Sequence, residues 1–257
     1  SLIIIKPEKK MQKRDGIKLF KIVLLTFFVF STGVLSAQIS EGRILFERRT
    51  NLEKKFQNSS YGKKAINKDN KIKTENFELF FTDSSAIFKP ILSDEVDPLS
   101  WATTKNTIFH DLKTSEKLIF LNVWGKELIV RDSIANRKWQ ITESNRVIAG
   151  YTCYKSIWQK NDSTRIYAWF TPDIIPTVGP EGFDGLPGTI LGLAIEDGGI
   201  IYFAKEVQVI KPKGEDLIID LKKKDIYTKE SLKEKFEKEY GNNDFGKRIL
   251  DELFRWL

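Results

Sequence analysis

The sequence predicts a mainly β protein, an antiparallel meander that curls into a half-barrel, barrel or sandwich and ends in two helices. Three observations carry this expectation. Short apolar-rich segments recur at close intervals, turn-forming residues separate them, and the hydrophobic period changes after Asp225.

Taken in order, the segments that read as strands are Gly42 to Arg48, Phe77 to Thr82, Ala86 to Lys89, Thr107 to Leu112, Lys117 to Trp124, Glu127 to Asp132 and Lys138 to Thr142. Asp83-Ser-Ser85, Lys113-Thr-Ser-Glu116 and Gly125-Lys126 supply the turn chemistry between neighbours, and connections this short favour antiparallel hairpins. Further strands are predicted at Tyr151 to Gln159, Thr164 to Phe170, Thr189 to Glu196 and Ile200 to Val209, with Leu217 to Leu221 as a final candidate. Asp197-Gly-Gly199 forms the hairpin turn before Ile200. In Arg165 to Phe170, Ile166, Ala168 and Phe170 fall on one face and Tyr167 and Trp169 on the other, so both faces there are expected to be covered. The Lys- and Asn-rich stretch from Asn51 to Lys73 reads as an exposed loop with solvated charge.

From about residue 228 the pattern becomes helical. Ser231-Leu-Lys-Glu234 matches a capping box, and Leu232, Phe236 and Tyr240 share a face that ends at Gly241. Asp244 can cap a second helix, Phe245 to Leu257, with Ile249, Leu250 and Leu253 on its apolar stripe.

The chain has 257 residues, 41% hydrophobic and 30% charged, which suits a folded domain and excludes disorder throughout. Its net charge of +7 invites nucleic acid as a partner, but the charge is unevenly placed. Residues 1–37 hold seven basic side chains against Glu8 and Asp15, followed by the apolar run Ile22 to Phe30 and the small-residue stretch Ser31 to Ala37. This is the layout of a secretory signal, with the cut expected after Ala37 and the translation start at Met11. Of the 42 basic and 35 acidic residues, 35 and 33 remain beyond Ala37, and the argument for nucleic acid collapses. The expected mature protein, residues 38–257, is a single domain that is periplasmic or secreted.

One His and one Cys exclude a disulfide within the chain, a multi-His metal site and a Cys-rich zinc module. No cofactor or metal is expected. Cys153 lies in an apolar, aromatic strand and reads as a buried free thiol, with a redox or ligating role as the alternative. His110 reads as a strand histidine hydrogen-bonded to its neighbours, and no catalytic residue is assigned.

Four of the eight prolines and four of the sixteen glycines fall within Thr171 to Gly188, a long connection between two strands. So dense a mixture of restricted and permissive backbone predicts one set conformation. The chain resembles the GLPGLI family of secreted Bacteroidetes proteins through Ile148-Ala-Gly-Tyr-Thr-Cys-Tyr-Lys155, Tyr167-Ala-Trp-Phe-Thr-Pro-Asp-Ile-Ile-Pro176, Gly179-Pro180 and Gly185-Leu-Pro-Gly-Thr-Ile190. The likeness spans about Trp139 to Phe203 and departs at Thr189, where the naming pattern has Leu. It implies an exported cell-envelope protein with no generally established enzyme activity.

Two functional readings of the loop follow. Trp169, Pro172, Pro176, Gly179, Pro180, Phe183, Gly185, Leu186, Pro187 and Gly188 are candidates for gating a curved sheet that binds a small hydrophobic or peptide ligand, or an outer-membrane partner such as a transporter. Asp173, Glu181 and Asp184 are candidates for an acidic site, either for acid and base work in a hydrolase or for hydrogen-bonding loop amides. A filled interior would instead favour a structural or interaction protein.

Overall fold

The computed structural model describes residues 38–123, 125–133, 137–221, 225–240, 252, 253 and 255. Twelve strands form one sheet: β1 (Gly42–Asn51), β2 (Ile72–Phe81), β3 (Ser85–Pro90), β4 (Thr107–Asp111), β5 (Glu116–Val123), β6 (Lys126–Ser133), β7 (Gln140–Ile148), β8 (Tyr151–Asn161), β9 (Thr164–Thr171), β10 (Thr189–Ile195), β11 (Ile200–Gln208) and β12 (Ile226–Thr228). The spatial order is β12-β6-β5-β4-β3-β2-β1-β11-β10-β9-β8-β7.

This order consists of two meanders. Strands β1 to β6 run outward from the middle, and β7 to β11 run from the far edge back to it. The seam is the antiparallel pair β1–β11, in which Arg48 faces Tyr202. All strand pairs are antiparallel except β12 with β6, which is parallel. The sheet does not close, so neither a barrel nor a two-sheet sandwich forms, and the half-open curl is the form the fold takes.

Strand alternation sets the inner face. Ile44, Phe46, Arg48 and Thr50 of β1 are buried at every second position. They meet Leu79, Phe77 and Glu75 of β2 in register. Phe77 stacks on Phe88 at 5.1 Å, and Tyr202 stands edge-on to Phe77 at 5.7 Å, so aromatic packing crosses the seam. Register shifts occur in β11, where Lys205 is the extra residue opposite Leu45 and Phe46 of β1, and in β10, where Leu191 is the extra residue, and each bends its strand.

Several expectations need correction. Asn51 to Lys73 is not a plain loop. It carries two short helices, α1 (Leu52–Lys55) and α2 (Ser60–Ala65), capped by Asn51 and Ser59, whose side-chain oxygens accept from Lys54 N and Gly62 N. Lys64, Lys68 and Lys71 are exposed as expected of solvated charge, but Leu52 is fully buried, and Lys73 is buried and bound to Asp97 at 2.7 Å. Leu217 to Leu221 is not a strand. Gly214–Leu217 is a 3₁₀ turn, and the last strand is β12. The helix α3 (Lys229–Tyr240) buries Leu232 and Phe236 against β12 and β6. Its cap is Thr228, whose Oγ1 accepts from Ser231 N at 3.2 Å, three residues before the expected one. The predicted leader and nearly all of the second C-terminal helix lie outside the described residues.

Candidate functional site: the loop that fills the sheet

The connection between β9 and β10 turns onto the inner face. Ile174, Val178, Phe183 and Leu186 are buried in the main core. The 3₁₀ turn Pro180–Gly182 touches β3 and β4 of one meander and β10 of the other. Backbone bonds fix the loop: Thr189 N donates to Ile174 O at 3.0 Å and Ile190 N to Val178 O at 2.8 Å. Two glycines are demanded by space. A Cβ at Gly188, with φ of 135°, would stand 2.0 Å from Thr171 O, and one at Gly179 would stand 2.6 Å from Ile190 Cβ.

Glu181 is a non-glycine residue at φ 52° and ψ 28°, a left-handed conformation that costs about 1–2 kcal/mol. Burial of Phe183 and Leu186, each worth about 1.5–3 kcal/mol, outweighs that cost. The Glu181 carboxylate reaches the seam, where Tyr202 OH donates to Oε1 and Asn106 donates to Oε2 at 3.4 Å. Arg48 Nη1 lies 3.6 Å from Oε1, while its Nη2 binds Glu75 at 2.5 Å and its Nη1 donates to Thr104 O at 2.8 Å. Glu75 also accepts from Thr103 at 2.9 Å.

Burial raises the Glu181 carboxyl above its ordinary range, against the pull of Arg48, Tyr202 and Asn106. For Glu75 burial also acts upward, but Arg48, Lys73 and Thr103 hold it below that range. Burial opposes the Arg48 charge too, yet Tyr202, Glu75 and Glu181 keep its pKa above the ordinary value. This centre is therefore a locked ion network.

Asp184 anchors a second network. Its side chain has no exposure and accepts from Arg137 Nη1 at 2.6 Å, and its backbone carbonyl accepts from Trp139 Nε1 at 2.9 Å. Arg137 lies over the Phe183 ring at 4.7 Å, beside Trp139 and Trp158. His110 of β4 and Lys117 of β5 point at Asp184 Oδ2 from 3.7 and 3.8 Å. His110 Nε2 makes no hydrogen bond, contrary to the satisfied strand histidine expected of it. Burial lowers the pKa of His110 and of Lys117.

Among the loop candidates, Pro176, Gly179, Pro180, Phe183, Leu186 and Gly188 are buried, Trp169 is half-buried on the outer face, and Pro172, Gly185 and Pro187 are exposed. Glu181 and Asp184 lie in separate networks, and Asp173 is half-buried and shares no ion pair or hydrogen bond with either among the described residues. Its backbone oxygen accepts from Ile39 N at 2.8 Å. Cys153 has no exposed surface, and burial pushes its thiol up to about 12. Among the described residues no cluster of His, Cys, Asp and Glu could hold a metal ion, and no helix is long and apolar enough to cross a membrane.

Sequence reasoning named the loop carboxylates but missed their partners Arg48, Glu75, Tyr202, Lys117 and Arg137. The available signal was phase: Arg48 and Glu75 occupy inward positions in the same alternation as the apolar Ile44, Phe46, Phe77 and Leu79.

Residues 158–192 match a family described as "Protein of unknown function (Porph_ging)". This is the GLPGLI family, and the match covers the loop with its flanking strands, a shorter span than Trp139 to Phe203. Among curated proteins none matches the chain by sequence. In fold the chain is similar to PNGF-II, solved in C2 and P21 space groups, at 16% identity with TM-scores of 0.51 and 0.50. The likeness covers 76% and 74% of this chain but 32% and 31% of PNGF-II, so the chain spans about a third of those structures and shares the fold alone. An uncharacterized conserved protein from Thermus thermophilus is similar over 84% of this chain and 100% of its own, at 7% identity and a TM-score of 0.39.

Proposed function

We infer that this chain is an exported, non-enzymatic cell-envelope protein that acts by binding a partner on its outer surface, its inner face being occupied by its own loop. One observation carries the reading: Phe183, Leu186, Glu181 and Asp184 are buried together inside the sheet, where a hydrophobic cargo would have to sit. Export rests on the basic and apolar leader up to Ala37.

A loop acting as a gate would keep its apolar side chains against an open cavity and its polar groups near water. Here the apolar side chains are core, and the carboxylates are tied to Arg48 and Arg137. Native mass spectrometry of protein purified from the envelope tests this. The reading expects chains beginning at Gln38 that carry no small hydrophobic molecule, and stoichiometric release of one on unfolding would contradict it. The hydrolase reading of Asp173, Glu181 and Asp184 is met by the same burial, which leaves no approach for a substrate to the last two. Replacing all three with amides is expected to leave any hydrolytic turnover of the preparation unchanged.

A further inference from the structure

If the function lies on the outer surface, the partner must have somewhere to dock, and the sheet offers two unequal edges. The β12 edge has three residues and runs directly into α3, which packs on it. The β7 edge has nine residues and, among the described residues, pairs with β8 alone while also touching β11.

The β7–β8 turn fixes which backbone groups β7 presents. Ala149 and Gly150 have φ of 49° and 87°, the signs of a type I′ two-residue turn. Such a turn is closed by a hydrogen-bonded pair, here Ile148 with Tyr151. Antiparallel pairs alternate, so Val147–Thr152 and Asn145–Tyr154 are non-hydrogen-bonded pairs. The N–H and C=O of Val147 and Asn145 therefore face the free edge. The irregularity between Ile141 and Asn145 limits a regular ladder to the part of β7 next to the turn.

A cleft of about 420 Å³ lies at that part of the strand, lined by Arg146, Val147, Ile148 and Ala149 on one side and by Phe203 and Lys205 of β11 on the other. Val147 is 70% exposed. The Arg146 guanidinium lies over the rings of Trp169 at 4.9 Å and Phe203 at 5.6 Å, and it has no carboxylate partner among the described residues. The nearby carboxylate of Glu47 is bound to Arg49 at 2.7 Å and lies 3.8 Å from Lys205. The cleft thus combines an open strand edge, an apolar floor and two cations, one of them held in place by aromatic faces.

We propose that this cleft binds an extended, acidic peptide segment of a partner protein, added as a strand beside β7 with a carboxylate against Arg146. This deepens the partner-binding reading and rests on it. Backbone pairing supplies affinity, and the alternating side chains of the added strand place every second one towards Arg146 and Lys205.

The test uses the full chain and a fluorescein-labelled peptide of alternating Val and Asp, followed by fluorescence anisotropy. Saturable binding is expected, weakened about tenfold by Arg146→Gln and about tenfold when Ser replaces Asp in the peptide. Val147→Pro removes the outward N–H without breaking a bond to β8, also stiffens the backbone at Arg146, and is expected to weaken binding at least as much. If that variant melts at a lower temperature than the wild type, Arg146→Gln decides alone. Absence of binding, or binding that neither variant changes, overturns the proposal while leaving the filled interior as it stands. A dimer of the protein alone that Val147→Pro dissociates assigns the edge to a second copy and also overturns it. A hydrophobic cargo found by mass spectrometry would instead remove the reading beneath.

Discussion

Asp184 and Glu181 are three residues apart in one loop, yet their environments assign them different energetic roles. Among the described residues, Asp184 is the one carboxylate hydrogen-bonded to the Arg137 guanidinium, itself enclosed by Phe183 and Trp158. Asp184→Ala would strand that charge and is expected to cost about 3–5 kcal/mol in urea unfolding. Burial disfavours the charged form of Glu181, so Glu181→Gln, which keeps an oxygen acceptor for Tyr202, is expected within about 1 kcal/mol of the wild type.

His110 adds a pH dependence. Facing Asp184, Lys117 and Arg137, it has a folded pKa below the ordinary 6.5, chiefly through burial. The unfolded chain then binds the extra proton first, so the stability His110 contributes is present above pH 6.5 and is lost as pH falls towards its folded value. Glu181, raised above 4.5, acts in the opposite direction: it costs stability above its folded pKa, and that cost is relieved as pH falls through it. Melting temperatures from about pH 7 down to about 4.5 are expected to fall less steeply for His110→Gln and more steeply for Glu181→Gln than for the wild type. These residue roles were only partly legible. The loop carboxylates stood out because Pro and Gly surround them, whereas Arg48 and Arg137 were single cations among 42, and only strand phase or a chain crossing brings them inward.

Among the elements, the strands were the most legible, because alternation and turn residues act locally. Strands β1 to β11 lie where the pattern put them, to within a few residues except for β1, β2 and β7. At β7 the pattern gave Lys138 to Thr142, whereas the strand runs to Ile148. Its polar, exposed second half has no apolar alternation to reveal it. The turn that follows holds Ala149 at positive φ, so Ala149→Gly is expected to change stability by no more than about 1 kcal/mol, with relief of strain offsetting added chain freedom. Gly188→Ala differs in kind, since the methyl group would meet the Thr171 carbonyl inside the fold. A loss of about 3 kcal/mol or more in urea unfolding is expected, and a change below about 1 kcal/mol would mean the loop can shift as a unit.

At the scale of the whole molecule, two meanders are joined by one strand pair and one loop. No local signal in the sequence indicates that β1 pairs with β11, because that contact links residues about 150 positions apart, as Arg48 and Tyr202 show at 3.2 Å. The loop crosses the same junction, with Glu181 at the seam and Asp184 against β4 and β5. Tyr202→Phe removes a donor to Glu181 and a contact to Arg48, and is expected to cost about 1–3 kcal/mol in a single unfolding transition shared by both meanders. Two separate transitions would show that the halves fold independently.

The central claim is that the Thr171 to Gly188 connection is a fixed part of the core and fills the place a cargo would take. Native-state hydrogen exchange reads this directly. The amides of Ile175, Val178, Thr189 and Ile190, all hydrogen-bonded to backbone carbonyls, are expected to exchange as slowly as those of β9 and β10, opening only with global unfolding. Loop amides that exchange orders of magnitude faster while β9 and β10 stay protected would contradict the account and restore the loop as a gate.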